Sequence, residues 1–143
     1  MSNTLHGAIN ASASALTAER ARIEVAVSNL ANAESTRGAD GKPYRRRDVV
    51  LATDGPETFE AMMGRQNAVG VKVADITEDQ APFARRYDPS HPDADAEGFV
   101  QMPNVDVPEQ MVDMLSASRA YQANLTAISL IRDMISRAME LGK

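Results

Sequence analysis

One cluster in the sequence has residue types that could bind a metal ion or exchange protons. A histidine lies among acidic residues in one short segment: His91 with Asp88, Asp93, Asp95 and Glu97. Asp93, Asp95 and Glu97, followed by Gly98, have the spacing of the first ligands of a calcium-binding loop. The twelfth position of such a loop needs a bidentate glutamate, and here it is Asn104. We therefore expect a structural loop, with no metal ion and no cofactor.

A basic triplet, Arg45, Arg46 and Arg47, could hold nucleic acid or anionic lipid. Acidic residues surround it, and Tyr44 is the only aromatic residue beside it that could stack on a base. We expect a solvated strand face or a protein contact, and no nucleic-acid binding. The sequence has no cysteine, no nucleophile elbow and no glycine-rich phosphate loop, so it predicts no enzymatic activity.

Charge is unevenly distributed along the chain. The 143 residues include 15 basic and 20 acidic ones, for a net charge of -5. Residues 37–107 contain 22 charged residues, whereas residues 1–36 and 108–143 together contain 13. This contrast predicts a middle module between two terminal segments with those bounds. The sequence has no long apolar run and no basic leader, which predicts no direct membrane insertion and no cleaved signal peptide.

Both terminal segments have the apolar spacing of long helices. The N-terminal row is spaced by seven residues, with two flanking positions: Ile9, Leu16, Ile23 and Leu30, then Leu5 and Val27. The C-terminal row has the same spacing: Met114, Tyr121, Ile128 and Ile135, flanked by Met111, Leu125, Ile131 and Met139. The spacing predicts one helix over Leu5–Ala33 and another from Val107, with Asp106 as its cap and Pro108 in its first turn.

The middle module has the pattern of short strands separated by glycine and proline. Strands are predicted around residues 49–51, 69–73 and 99–105. The predicted fold class is α+β, in which long N- and C-terminal helices form a coiled-coil-like pair and a small module of strands and loops is inserted between them.

The terminal helices could be arranged in two ways. A lone pair buries only one face of each helix, and it must close a loop of about 75 residues, so it is marginal in stability. Alanines away from the apolar rows permit close approach on further sides, which favours packing against other chains or further copies. The alternative is that the helices wrap the middle module in a monomer.

Specific residues resemble the axial proteins of the bacterial flagellum, its rod and hook proteins. The resemblance begins with the end of the first helix, Ser28, Asn29, Leu30, Ala31 and Asn32, followed by Thr36. It continues in order through residues 41–46, 70–73, 87–95, 98–106 and 111–124. These later segments narrow the resemblance to proteins of the proximal rod in the basal body. The stretch from Asp54 to Asn67 is less similar, and no contact role is carried over to it.

The resemblance implies a structural subunit without catalytic activity. The terminal helices would form the inner tube of the rod around the export channel, and the module would form an outer layer. Implied partners are copies of the same chain, other rod proteins, the adapter at the inner-membrane ring and the flagellar type III export apparatus. The implied location is the periplasmic part of the basal body.

A set of residues on the two helices is expected to form the assembly interface. Asn29, Leu30 and Asn32 would lie where the chain turns outward, and Tyr121 and Asn124 would face packed neighbours. The full set is Ile9, Leu16, Ile23, Val27, Asn29, Leu30, Asn32, Met111, Met114, Tyr121, Asn124, Leu125, Ile128 and Ile135. The competing hypothesis is a soluble helical protein-binding module.

Overall fold

Two long helices dominate the computed structural model, which describes residues 2–38, 41–55 and 69–141. Helix α1 spans Ser2–Ala31, and helix α2 spans Val107–Leu141. Neither helix has an internal proline that would interrupt its hydrogen bonds, since Pro108 lies in the first turn of α2, where its missing N–H has no helical partner anyway. Both helices lie where the seven-residue spacing predicts them.

Helices α1 and α2 pack directly against each other as an antiparallel pair. The end of α1 meets the start of α2, because Asn29 is bonded to Gln110. Small side chains are buried along the helices, with Ala18 and Ala117 each 1% exposed and Ala26 5% exposed. Alanine lets helix backbones approach closely, but it contributes little apolar area to a core.

Strands β1 and β2 form an antiparallel two-stranded sheet that lies against α1. β1 spans Arg47–Asp54, and β2 spans Gly70–Glu78. Val50 pairs with Asp75 and Leu51 pairs with Val73, so Ala74 has no partner residue in β1 and forms a bulge. Such a bulge increases the local twist of the sheet.

A second antiparallel pair consists of β3, Ala84–Tyr87, and β4, Phe99–Met102. β3 has no alternating apolar pattern and was not predicted from the sequence. The strand expected over residues 99–105 ends at Met102, since Pro103 has no N–H to donate to a ladder. Gly98, with a φ of 81°, forms the turn into β4, and its missing Cβ leaves room for Tyr87 and Pro89.

The predicted fold class is confirmed: two long terminal helices flank a small module of strands, and the chain is α+β. Within the described residues, neither helix has a stretch that is both apolar and long enough to span a bilayer. The side chains of Val100 and Met102 are buried in the module, at 0% and 8% exposed.

Candidate functional site

The loop between β3 and β4 contains the histidine and carboxylate cluster, and its polar groups bond to one another. The backbone N–H of Asp93 donates to Nδ1 of His91 over 3.1 Å. The Asp93 carboxylate accepts a hydrogen bond from Thr36 over 2.9 Å and forms an ion pair with Arg37 at 3.5 Å. In residues 2–38, 41–55 and 69–141, no group of three or more metal-binding side chains converges. The cluster therefore connects this loop to the segment after α1.

Two carboxylates of the same loop are stabilised in their ionised form. Oδ1 of Asp95 accepts hydrogen bonds from the backbone N–H groups of Phe99 and Glu97, each over 2.9 Å, and these bonds lower the pKa of Asp95. The hydroxyl of Ser90 donates to Asp88 over 2.8 Å and lowers the pKa of Asp88. Both groups are ionised at neutral pH, so they stabilise turns and are unsuited to acid catalysis.

The flanking arginines of the basic triplet contact groups of this chain. Nη1 of Arg45 donates to the carbonyls of Asp79 and Ala81 over 2.9 and 3.2 Å, and its guanidinium lies 4.4 Å from the Phe83 ring centre. Arg47 forms an ion pair with Glu78 at 3.4 Å. These contacts join the start of β1 to the end of β2 and the segment after it.

Arg46 connects three parts of the chain. Its guanidinium forms ion pairs with Asp48 at 2.7 Å, Glu109 at 3.0 Å and Asp79 at 3.5 Å. Only 19% of its side chain is exposed, and its backbone N–H donates to Asn104 Oδ1 over 2.9 Å. Because Glu109 lies in the first turn of α2, this arginine holds the start of β1 to the start of that helix.

Asn29 is the centre of a buried polar junction at the end of α1. Its Nδ2 donates to the carbonyl of Arg47 over 2.8 Å and to Oε1 of Gln110 over 2.7 Å. Its Oδ1 accepts from the backbone N–H of Arg47 and from the hydroxyl of Tyr44, each over 2.9 Å. The side chain is 1% exposed, so all four bonds form away from water. We call Asn29, Tyr44, Gln110 and the backbone of Arg47 the polar junction.

The predicted interface residues differ in how much of each is exposed to solvent. Asn29 is buried, and its amide bonds only to groups of the same chain. Three apolar members are largely exposed: Val27 at 47%, Met111 at 50% and Leu125 at 41%. The other members are half-buried along the helix pair: Ile9, Leu16, Ile23, Leu30, Asn32, Met114, Tyr121, Asn124, Ile128 and Ile135.

Helix α2 also exposes large apolar side chains on the side away from Ala117, and all of them except Met111 lie outside the predicted row and its flanking positions. They lie toward the two ends of the helix, with Arg119, Gln122 and Thr126 between them on the same side. Val112, Leu115 and Leu130 are 67%, 51% and 58% exposed. At about 100° of rotation per residue, they lie roughly 140 to 160° around the helix from the buried Ala117. We call the outer face the set Met111, Val112, Leu115, Leu130 and Met134. A full helical wheel of α2, drawn without requiring a seven-residue repeat, would have found this face.

Comparison with known proteins gives matches along nearly the whole chain. Residues 9–39 match the family model described as flagella basal body rod protein, and residues 96–141 match that of the flagellar basal body rod FlgEFG protein C-terminal. The flagellar basal-body rod protein FlgC of Bacillus subtilis is 47% identical over 98% of this chain and 99% of its own. The proteins of the same name from Escherichia coli O6:H1 and Borreliella burgdorferi are 48% and 39% identical, over 91% and 96% of this chain and 92% and 97% of theirs.

Proposed function

Because the chain belongs to the family of FlgC flagellar basal-body rod proteins, we propose that its helix pairs pack side by side around the rod axis, with the β1–β2 module outside them. The chain is a structural rod subunit located in the flagellar basal body, and it assembles with other rod components. In the proposed arrangement the helices enclose the export channel, and the packed subunits transmit torque. The family is structural, and we propose that this member has no catalytic activity.

The observation that carries this arrangement is the apolar outer face of α2. Its five side chains are 50% to 67% exposed although they are large and apolar. Full burial of such a side chain is worth about 1.5 to 3 kcal/mol. Covering the exposed half of all five therefore stabilises an assembly by roughly 4 to 8 kcal/mol per subunit. A neighbouring helix pair can supply that cover.

The predicted interface residues add exposed positions on both helices. Val27, Met111 and Leu125 are exposed and available to a neighbour, whereas the half-buried members of the rows lie on the side of each helix that faces the other helix. We propose that Asn29 contributes indirectly, by fixing the end of α1, since its amide has all four hydrogen bonds inside the chain.

The assignment to the rod-protein family also supports proposals about the individual partners of this chain and about its location. We propose that copies of this chain contact other rod proteins and the adapter at the inner-membrane ring. We also propose that the flagellar type III apparatus exports the chain to the periplasm without cleavage of a leader. A long helix pair whose apolar faces become covered only on assembly is suited to such a route, because its terminal segments gain much of their stability after export. No observation favours the soluble helical binding module.

The test is a charge placed on the outer face of α2. In the bacterium that carries this chain, Leu115→Asp should remove the chain from purified basal bodies and abolish swimming, because a carboxylate cannot be buried between apolar helices. Leu115 is half exposed in the subunit, so the variant should keep its helical circular dichroism. The matched control is Gln80→Asp, which adds the same charge after β2. Normal swimming and normal rod content in Leu115→Asp would contradict the proposal.

A further inference from the structure

Among the described residues of the chain, the β1–β2 hairpin bonds to α1 at two separate points. The first is the polar junction, where Asn29 bonds both backbone groups of Arg47 at the start of β1. The second is Ser14, whose hydroxyl donates to the carbonyl of Ala11 over 2.8 Å and accepts from the backbone N–H of Val71 over 3.0 Å. Val71 pairs with Thr53 near the end of β1.

The separations along the helix and along the strand agree. From Ser14 to Asn29 is fifteen residues of α1, which is about 22 Å at 1.5 Å per residue. From Arg47 to Thr53 is six residues of β1, which is about 20 Å at 3.3 Å per residue. β1 therefore runs back along α1, antiparallel to it. The start of β1 is bonded to Asn29, and the start of β2, which pairs with the end of β1, is bonded to Ser14. One attachment would leave the hairpin free to swing about it, whereas two define its direction.

The contact at Ser14 is close as well as hydrogen-bonded. A Cβ built on Gly70 would lie 2.8 Å from Oγ of Ser14 and 3.4 Å from its Cβ. While the Ser14 hydroxyl is present, glycine is what lets the first residue of β2 lie this near the helix. The polar junction is equally specific, since Asn29 uses both amide hydrogens and accepts two hydrogen bonds at its oxygen.

We infer that Asn29 and Ser14 are positioning residues that hold the β1–β2 hairpin in one register along α1, so that hairpin and helix pair form a single rigid body in each subunit. The significance of this role rests on the proposed function, because a rod that transmits torque needs each outer module fixed to its axial helices. The geometry itself belongs to the single chain and is present without neighbours.

A pair of introduced cysteines at residues 14 and 70 replaces the Ser14 hydroxyl, so it measures how far Asn29 alone holds this register. The chain has no cysteine, and the 3.4 Å between the Cβ positions of residues 14 and 70 is close to the Cβ separation of about 3.8 Å in disulfides. Ser14→Cys and Gly70→Cys are combined in the purified chain and equilibrated with glutathione. Oxidised glutathione takes two electrons from the two thiols, which gives the protein disulfide and two molecules of reduced glutathione. The equilibrium ratio gives the effective concentration of one thiol at the other.

Asn29 lies far from the cysteine pair, so its effect there must travel through the hairpin. We expect Asn29→Leu to lower the effective concentration at least tenfold, toward the millimolar value of a flexible loop. The control Asn124→Leu should change it less than twofold, because within the described part of the chain the Asn124 side chain bonds to the carbonyl of Ala120 in its own helix, over 2.9 Å. Tyr44→Phe is a milder variant that removes one hydrogen bond from Asn29, and we expect a loss of about threefold.

The same register is measurable without cysteines. Exchange of the Val71 amide hydrogen should accelerate at least tenfold in Asn29→Leu and in Ser14→Ala, because both release the hydrogen bond that protects it. Equal effective concentrations with and without Asn29→Leu would overturn the inference. Unchanged exchange of the Val71 amide in Ser14→Ala would overturn it as well. Neither result involves rods, so the inference can fail while Leu115→Asp still blocks assembly. The reverse outcome would remove only the proposed function.

Discussion

Asn29→Leu should destabilise the folded chain by about 1 to 4 kcal/mol. The substitution keeps a side chain of similar size but removes all four hydrogen bonds of the amide. Tyr44 can turn its hydroxyl to Ser28, whose Oγ lies 3.4 Å away, but the N–H and C=O of Arg47 and Oε1 of Gln110 lose their partner. We take about 1 to 2 kcal/mol for each of these three groups, because the bonds to Arg47 are part-buried. Burial of the leucine offsets up to about 2 kcal/mol of the sum.

The assay is urea unfolding of the purified chain, followed by circular dichroism at the helical minimum. Asn124→Leu is the matched control, because it replaces an asparagine whose side chain, in the residues that the structure describes, bonds to a carbonyl of its own helix. Its free energy of unfolding should differ from the parent by about 0.5 kcal/mol or less. If Asn29→Leu were as stable as Asn124→Leu, the polar junction would not hold the chain together, and the reasoning from its four hydrogen bonds would be refuted.

Three further predictions concern other contacts of the module and the helix pair. Gly70→Val should separate β2 from α1, because the added Cβ would lie 2.8 Å from Oγ of Ser14; the Val71 amide should then exchange faster. Acidification below about pH 4 should loosen the β3–β4 loop while the helices persist, as seen in the NMR shifts of Phe99. Ala117→Leu should force α1 and α2 apart and destabilise the chain by about 1 to 3 kcal/mol in urea unfolding.

Each of these three predictions has a result that would contradict it. For Gly70→Val the control is Thr77→Val, which places a valine at an exposed position of the same strand; equal Val71 exchange in parent and Gly70→Val would exclude the close contact. The acid effect follows from the lowered pKa of Asp95 in the folded loop. The ionised carboxylate stabilises the loop fully above the unfolded pKa of about 3.9, and this stabilisation is lost as the pH falls through the folded pKa. A loop that stays ordered at pH 2 would contradict it. Unchanged stability of Ala117→Leu would show that the helices are not closely packed there.

The helices were predictable from the sequence because their apolar spacing is local. The seven-residue rows require only neighbours along one helix, and Pro108 marks the start of α2. β3 was not predictable in this way. It is a short exposed strand with the sequence Ala-Arg-Arg-Tyr, and its pairing with β4 depends on the turn around Gly98.

The polar junction could not be predicted from the spacing of residues along the sequence. Asn29 and Gln110 are 81 residues apart, and Ser14 and Val71 are 57 apart, so only the folded chain brings each pair together. The resemblance to rod proteins drew attention to Asn29 as part of a motif but gave no partner for its side chain. Four of the five residues of the outer face of α2 were not predicted for a different reason. All but Met111 fall outside the seven-residue row and its flanking positions, which describe one seam of the helix.

A density map of the intact basal body tests the central claim most directly. The account predicts that α1 and α2 of each copy line the inner wall of the rod, that Leu115 and Leu130 are covered by a neighbouring helix, and that the β1–β2 hairpin lies outside. A rod in which the hairpin faces the channel, or in which the outer face of α2 is turned to solvent, would contradict it.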